Sequence, residues 1–364
     1  MREIVNISEY SKKMRNYYDS EGKLIQYPTK KPLRIIALVR IAECFENGKK
    51  YSEKEVNEII KSKIAFSDIE LIRREMFQYK MLGRLRDGSE YWAEPEWRKI
   101  YGEYLGKTNY FIEGLQGAGK STLLQRLSEK YQDYEVFREG DYSPVELAWC
   151  AYVTEEQYAG VLSRYESLKN EIVKKTVDEG EHRVICYTQI LTDVQGFHKD
   201  LEQYEIYNGN LNRETFEHIV LSRFQKWNET GQIFECSIFQ NIIENQLLYL
   251  MMTDDEILDF YKRLKTVLSG KPFQIIYLDG DDIREGIEII RRERSDDKGN
   301  ELWFPLMMKY LEESPYGKKN SLCDMDGLVA HLERRKALEH RIMNEVFREE
   351  SVILKAKNYN LDEI

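Results

Sequence analysis

The stretch YFIEGLQGAGKST, residues 110–122, constrains this chain more than any other. Three apolar residues, Tyr110, Phe111 and Ile112, read as a short buried strand. After Glu113 come Gly114, Gly117, Ala118, Gly119, Lys120, Ser121 and Thr122, and LLQRLSEKY after them reads as a helix. This is the pattern G-x-x-x-x-G-K-[ST] set between a strand and a helix. Glycines let such a loop fold back, so that successive backbone N–H groups and the first turn of the helix face one point and can hold phosphate oxygens. In that reading Gly114, Gly117, Ala118, Gly119, Lys120, Ser121 and Thr122 cradle the phosphates of a nucleotide. Lys120 bridges the β- and γ-phosphates and Ser121 helps hold a metal, so ATP and Mg²⁺ are the expected cofactors.

With 364 residues there is room for two or three domains, each with its own core. The five cysteines are odd in number and never in C-x-x-C spacing, which argues against a disulfide framework or a thiolate zinc site and fits a reducing cytoplasm. The N-terminal MREIVNISEYSKKM lacks the apolar region of an export signal, and no stretch approaches the ~18 apolar residues of a membrane span, so no membrane partner is expected. His182, His198, His218, His331 and His340 show no metal-binding spacing. The net charge of −10 is uneven: residues 1–92 hold 19 Lys and Arg against 14 Asp and Glu, and the rest of the chain carries a net −15. A nucleic acid could approach only the N-terminal part.

Residues 1–30 are polar and aperiodic, with Tyr10, Tyr17, Tyr18 and Tyr27 as the only sizeable anchors, and read as an arm. From Pro32 a helical pattern runs to Phe45, with Gly48 beyond its end. A second helix starts at YSEKEVNEII with a capping box of Ser52 and Glu55, and a third at FSDIELIRREMFQYKML with Ser67 and Glu70 in the same roles. GRLRDGSEYW then reads as a hairpin around Asp87 and Gly88. Three helices and a hairpin make a winged helix-turn-helix at residues 31–92. YSEKEVNEII, LIRRE and GRLRDGSEYW also resemble a small bacterial domain of uncharacterised function that occurs fused to transcription regulators and other partners. Weak DNA contact through residues 31–92 would use Arg73, Arg74, Lys80, Arg84 and Arg86. Residues 93–107 read as a linker with a short helix.

From residue 108 to the end the pattern is α/β. Strand candidates are 108–113, 134–141, a third in GQIFECSIFQN, Phe273–Leu278 and SVILKAKN (351–358). Between Ala151 and Thr230 lies an insertion expected to be mostly helical, with one strand in RVICYTQI. The order of glycine loop, a strand ending in acids (YEVFREGD), Pro144-Val145 and Trp149 resembles the deoxynucleoside and thymidylate kinase group of small-molecule kinases. That resemblance implies Glu139 or Asp141 as the carboxylate that accepts the proton of the acceptor hydroxyl, and Glu235 as a carboxylate at or near Mg²⁺. It also implies a lid in IREGIEIIRRERSDDKGNELWF with Arg291, Arg292 and Arg294 as candidate contacts of the transferred phosphate. The group carries an Arg after the acid of the third strand, where this chain has Cys236. Tyr142, Trp149, Tyr152, Tyr158 and Tyr165 read either as a stacking surface for a ring-bearing acceptor or as core.

The expected architecture is therefore an α/β P-loop domain with a mostly parallel five-stranded sheet, preceded by a small winged helix-turn-helix domain. No h-h-h-h-D-x-x-G strand and no N-K-x-D tetrapeptide occurs, which favours a kinase over a switch GTPase. The expected function is phosphoryl transfer from ATP to a small-molecule acceptor, with a nucleotide-gated DNA-binding regulator as the alternative; a homodimer is compatible with either.

Overall fold

The computed structural model describes residues 13–19, 22–104, 107–295, 301 and 303–361. These form two compact units. The first comprises residues 1–108 with two later segments, Phe224–Gly231 and Thr266–Phe273, which the sequence pattern alone assigns to the α/β domain.

In this first unit, helix α1 (Lys31–Ala42) carries Pro in its first turn, where a missing N–H leaves no bond unmade. It is apolar on nearly every face and forms the centre of the core, burying Leu33, Ile36, Leu38 and Ile41. After strand β1 (Lys50–Tyr51), helix α2 (Glu53–Lys63) starts with the expected capping box: Glu55 N–H donates to Ser52 Oγ, and Ser52 N–H donates to the Glu55 carboxylate at 2.7 Å. Helix α3 (Ile69–Gln78) departs from expectation, since Asp68 rather than Ser67 caps it, accepting from Leu71 N–H at 2.9 Å. A carboxylate one position later reaches the free amide equally well and adds a favourable charge at the helix start. Strands β2 (Leu82–Arg84) and β3 (Tyr91–Ala93) form the hairpin, and β1 pairs with the outer edge of β3 to give a three-stranded antiparallel sheet.

Two segments expected to be peripheral belong to this core. Met14 and Leu24 are buried in it, and Leu24 exchanges backbone hydrogen bonds with Lys63 and Ala65, so tyrosines are not the arm's only anchors. Trp97, in the expected linker, is fully buried there as part of the short helix Trp97–Tyr101.

The second unit is α/β. Five strands, β4 (Asn109–Gly114), β5 (Glu135–Phe137), β9 (Gln232–Glu235), β10 (Phe273–Asp279) and β11 (Ser351–Lys355), form one sheet in the order β11-β10-β4-β9-β5. The pairs β4 with β9, β5 with β9, and β10 with β11 run parallel. Side chains alternate across a strand, so Tyr110 and Ile112 face one layer and Phe111 and Glu113 the other. On the first face they meet Leu123, Leu124 and Leu127 of helix α4 (Lys120–Lys130). On the second, Phe111 and Phe137 both stack on Phe234 with ring centroids 4.9 Å apart. Leucines so buried contribute about 1.5–3 kcal/mol each, which holds the start of α4 against the end of β4.

The insertion holds more sheet than expected. Strands β6 (Ala151–Thr154), β7 (Thr176–Asp178) and β8 (His182–Ile185) form an antiparallel sheet in the order β6-β8-β7, and β8 leads into a short helical turn, Tyr187–Gln189. Strands of three or four residues carry too little period-2 alternation to stand out in the sequence.

Candidate functional site

Between β4 and α4 the backbone reverses over five residues. Gly114 has φ 138° and Gly117 φ 81°, both in the region that favours glycine. A Cβ would also collide: at Gly114 it would lie 2.6 Å from Leu278 O on β10, and at Gly117 2.9 Å from Gly286 O and 3.2 Å from Ile290 on helix α5 (Ile283–Glu293). At Gly119 nothing lies within 4 Å of that position, so the loop is packed from behind and open in front. The Lys120 ammonium curls over the loop and donates to Gly114 O at 2.8 Å and Leu115 O at 3.0 Å. Ser121 and Thr122 are exposed at the start of α4.

β9 lies directly beside β4, with Glu235 paired to Ile112, so Glu235 ends its strand next to the loop. Ser121 Oγ donates to Glu235 Oε1 at 2.6 Å. The chain turns sharply after it through Cys236, whose φ is 58°. The turn also engages a group of β4 that the motif did not point to: Glu113 is fully buried and accepts from Ile238 N–H at 2.8 Å. Burial raises its carboxyl to about 7, against the lowering influence of the Ile238 amide and Lys120.

The second strand stops at Phe137 rather than at 141, so Glu139 and Asp141 lie in the turn after it, and Gln240 ties that turn to the one at Cys236. Its side-chain N–H donates to Glu139 Oε1 at 3.0 Å, and its carbonyl oxygen accepts the Cys236 thiol at 3.5 Å. Glu139 also accepts the Trp149 indole N–H at 3.2 Å. Asp141 sits differently: one carboxylate oxygen accepts Arg138 N–H at 3.2 Å and the other accepts Gln189 Nε2 at 2.7 Å, so it closes its own turn and pins it to the insertion.

Trp149 has φ 62°, an outlier for a bulky aromatic, and is 46% exposed. Side chains hold it so. Ser143 Oγ accepts the N–H groups of Val145 and Glu146 at 3.3 Å, the Glu146 carboxyl accepts Ala148 N–H, and Thr188 donates to Trp149 O at 3.1 Å. Burial raises the Glu146 carboxyl to about 8. The other aromatics pack or pair: Tyr158 and Tyr165 join the core of the insertion, Tyr152 stacks on His182, and Tyr142 faces Glu179 and Arg223.

In the expected lid, α5 packs on Gly117 through Gly286 and Ile290. Arg291 is held by Glu288 at 2.8 Å and Glu301 at 2.7 Å, with its guanidinium 4.3 Å above the Phe304 ring. Glu288 pairs with Arg291, and Arg292 donates to the backbone oxygen of Glu288 at 3.3 Å. Arg294 is exposed at the end of the helix. Residues 296–300 and 302 of that segment lie outside the described residues.

A second group the sequence did not disclose lies behind the loop. Helix α6 (Met325–Glu345) reads as a charged helix in the sequence, yet Arg335 is fully buried on it. Its guanidinium donates to Gln116 Oε1 in the glycine loop at 3.0 Å, pairs with Glu244, and lies 3.1 Å from Glu339. His331 stands 2.7 Å from the other Glu244 oxygen. Burial works to raise the Glu244 carboxyl, but His331 and Arg335 outweigh it and hold it at about 2. Glu339, bonded by Tyr277 at 2.7 Å, is shifted upward by burial in spite of Arg335. Residues four apart on a helix share a face, so 331, 335 and 339 form one inward stripe, but charged side chains on that stripe resemble a solvated face when only the sequence is seen.

In the first unit, Arg73 is engaged by Glu53 at 2.7 Å and Asn57 at 2.7 Å and lies over the Tyr91 ring. Arg74, Lys80, Arg84 and Arg86 are exposed, with Arg84 4.8 Å above the Phe77 ring. No helix among the described residues is long and apolar enough to cross a membrane.

A family model described as an uncharacterized protein conserved in bacteria (DUF2087) matches residues 23–93, which fits the N-terminal unit and takes in Leu24. No curated protein matches the chain.

Proposed function

We propose that residues 114–122 form a P-loop that binds ATP with Mg²⁺, and that the chain transfers the γ-phosphoryl group to a small hydroxyl-bearing acceptor, a nucleoside, a nucleotide or an antibiotic-like metabolite. One observation carries this reading: the hydroxyl that comes directly after Lys120 and a carboxylate at the end of the neighbouring strand meet at 2.6 Å. A metal held by that hydroxyl and steadied by that carboxylate would occupy the mouth of the loop. The cradle fits a phosphate, being closed behind Gly114 and Gly117 and open at Gly119. Lys120 now bonds loop carbonyls that phosphate oxygens can replace. Bound Mg²⁺ supplies neutralisation of charge on the β- and γ-phosphate oxygens.

The chain's own residues do the rest. Glu139 is the better placed of the two candidate bases, because Gln240 and Trp149 fix one of its oxygens at the acceptor side while Asp141 is spent on its turn. It accepts the acceptor's hydroxyl proton. Trp149 offers a half-exposed ring on which a planar acceptor can stack. Arg294, which makes no ion pair among the described residues, is the candidate for the transferred phosphate, and Arg291 reaches it only by leaving Glu288 and Glu301. Incubating the full chain with γ-labelled ATP, Mg²⁺ and pooled acceptors tests the reading: label moves to one pool, and no transfer to any pool beyond a Lys120→Ala control would refute it.

The regulator reading draws on the exposed Arg74, Lys80, Arg84 and Arg86 of a winged-helix-like unit, but Arg73 is already neutralised within that unit. We rank it second.

A further inference from the structure

Cys150 immediately follows Trp149, and Cys186 comes directly after strand β8. In the antiparallel ladder Ala151 pairs with Ile185, so Cys150 and Cys186 stand opposite each other one step further along. Opposite residues in such a ladder have Cα atoms about 4.5–5.5 Å apart, inside the span a disulfide bridges. Their sulfurs are 3.7 Å apart, and both residues are buried. We propose that Cys150 and Cys186 are a peroxide-sensitive dithiol that closes into a disulfide beside the acceptor side of the site.

The environment divides the roles. Cys186 Sγ receives the Cys150 S–H, with the Tyr142 amide and Lys175 further lowering its pKa, while Cys150 is shifted upward by its bond to Cys186 and by burial. Thiolate character therefore falls on Cys186. Its sulfur attacks one peroxide oxygen and the O–O bond breaks, giving a sulfenic acid and hydroxide. Cys150 then loses its proton to that hydroxide, giving the first water, and its sulfur displaces the sulfenic oxygen as a second hydroxide, which takes up the proton that Cys186 released on ionising, as the S–S bond forms. In total two thiols and one hydrogen peroxide give one disulfide and two waters, and a dithiol reductant reverses the change.

Closure acts on neighbours already described. Cys150 continues the Trp149 turn, and Cys186 leads into Gln189, which holds Asp141 at 2.7 Å and Gly140 O at 3.0 Å. The bond would tie these two turns together and fix Trp149 relative to Glu139. That consequence rests on the phosphotransfer reading; the disulfide itself does not.

The test treats the full chain with hydrogen peroxide, blocks remaining thiols and maps the peptides. A loss of about 2 Da in one linked peptide pair containing Cys150 and Cys186 is expected, as two hydrogens leave, with recovery under dithiothreitol and persistence in Cys323→Ser, which removes the exposed cysteine. Free Cys150 and Cys186 after the exposed Cys323 has oxidised, or their separate conversion to sulfinic acids, overturns the proposal. Mapping wild-type protein keeps the result independent of whether Cys150→Ser folds. If label transfer is found, the oxidised form should show about a fivefold higher acceptor KM at unchanged ATP affinity, as expected when a segment that closes over the acceptor is restrained. Equal KM in both forms would overturn the placement at the acceptor side. A chain that forms the disulfide yet transfers no label in either form would count against the phosphotransfer reading alone.

Discussion

Ser121 Oγ donates to Glu235 Oε1 at 2.6 Å, joining residues 114 positions apart in the chain. Neither residue is unusual by itself. The contact arises because β9 pairs with β4 in the register that sets Glu235 beside Ile112, and because the glycine loop delivers α4 back to the same strand ends.

Lys120→Ala tests the loop. Its ammonium makes two bonds to loop carbonyls and no other polar contact among the described residues, so the fold should survive. ATP affinity should fall by about 100-fold, the equivalent of roughly 2.7 kcal/mol of charge-assisted bonding. Calorimetric titration with circular dichroism as the folding control checks both halves.

The two acidic candidates should separate. Glu139→Gln should keep ATP binding and lower transfer by about 100-fold or more, the scale of general base catalysis. Asp141→Asn should weaken the turn that Asp141 closes and leave transfer within about tenfold, since an amide oxygen still accepts one of its two bonds. Equal losses in the two variants would mean that the carboxylates share the role.

Arg335 should matter without touching nucleotide. Arg335→Met removes one partner from a buried charge network and should cost about 3–5 kcal/mol of stability, read from urea midpoints. Gln116→Ala spares that network and frees only the loop end of it. It should raise the KM for ATP several-fold with kcat little changed.

Stability should depend on pH in a defined direction. Glu113 and Glu146 hold their protons up to about 7 and about 8 in the fold, against 4.5 as the ordinary value. The unfolded chain releases those protons first, so this stabilisation is complete below 4.5 and is lost as pH rises through 7 and 8. Glu244 acts oppositely, with stability lost as pH falls from 4.5 towards 2. Chemical unfolding of Glu146→Gln across that range should show a flatter decline on the alkaline side than wild type.

In the first unit, duplex DNA binding would rest on Arg74, Lys80, Arg84 and Arg86. Neutralising each should take close to one unit from the salt slope, while Arg73→Ala should leave the slope unchanged and lower the melting temperature, because its partners are Glu53 and Asn57.

The parts legible in the sequence are those written in local rules. The glycine spacing, the capping box at Ser52 and the presence of five sheet strands follow from backbone sterics and periodicity, but two strands are shorter than expected: β5 stops at Phe137, short of 141, and β11 at Lys355, short of 358. The hidden parts depend on partners distant in the chain. Gln240 matters because it meets Glu139, and Arg335 because Glu244 and Gln116 enclose it. The Trp149 turn needs Thr188 and Glu146 to be held. No short window of sequence shows that the two halves of such a pair will meet.

The most direct measurement is ATP affinity with and without Mg²⁺ for wild type, Ser121→Ala, Glu235→Gln and the double variant. Wild type should bind more tightly with Mg²⁺, each single variant should lose most of that gain, and the double variant should lose little more, because the two groups serve one metal. ATP binding that is absent, or identical with and without Mg²⁺ in all four proteins, would contradict the account.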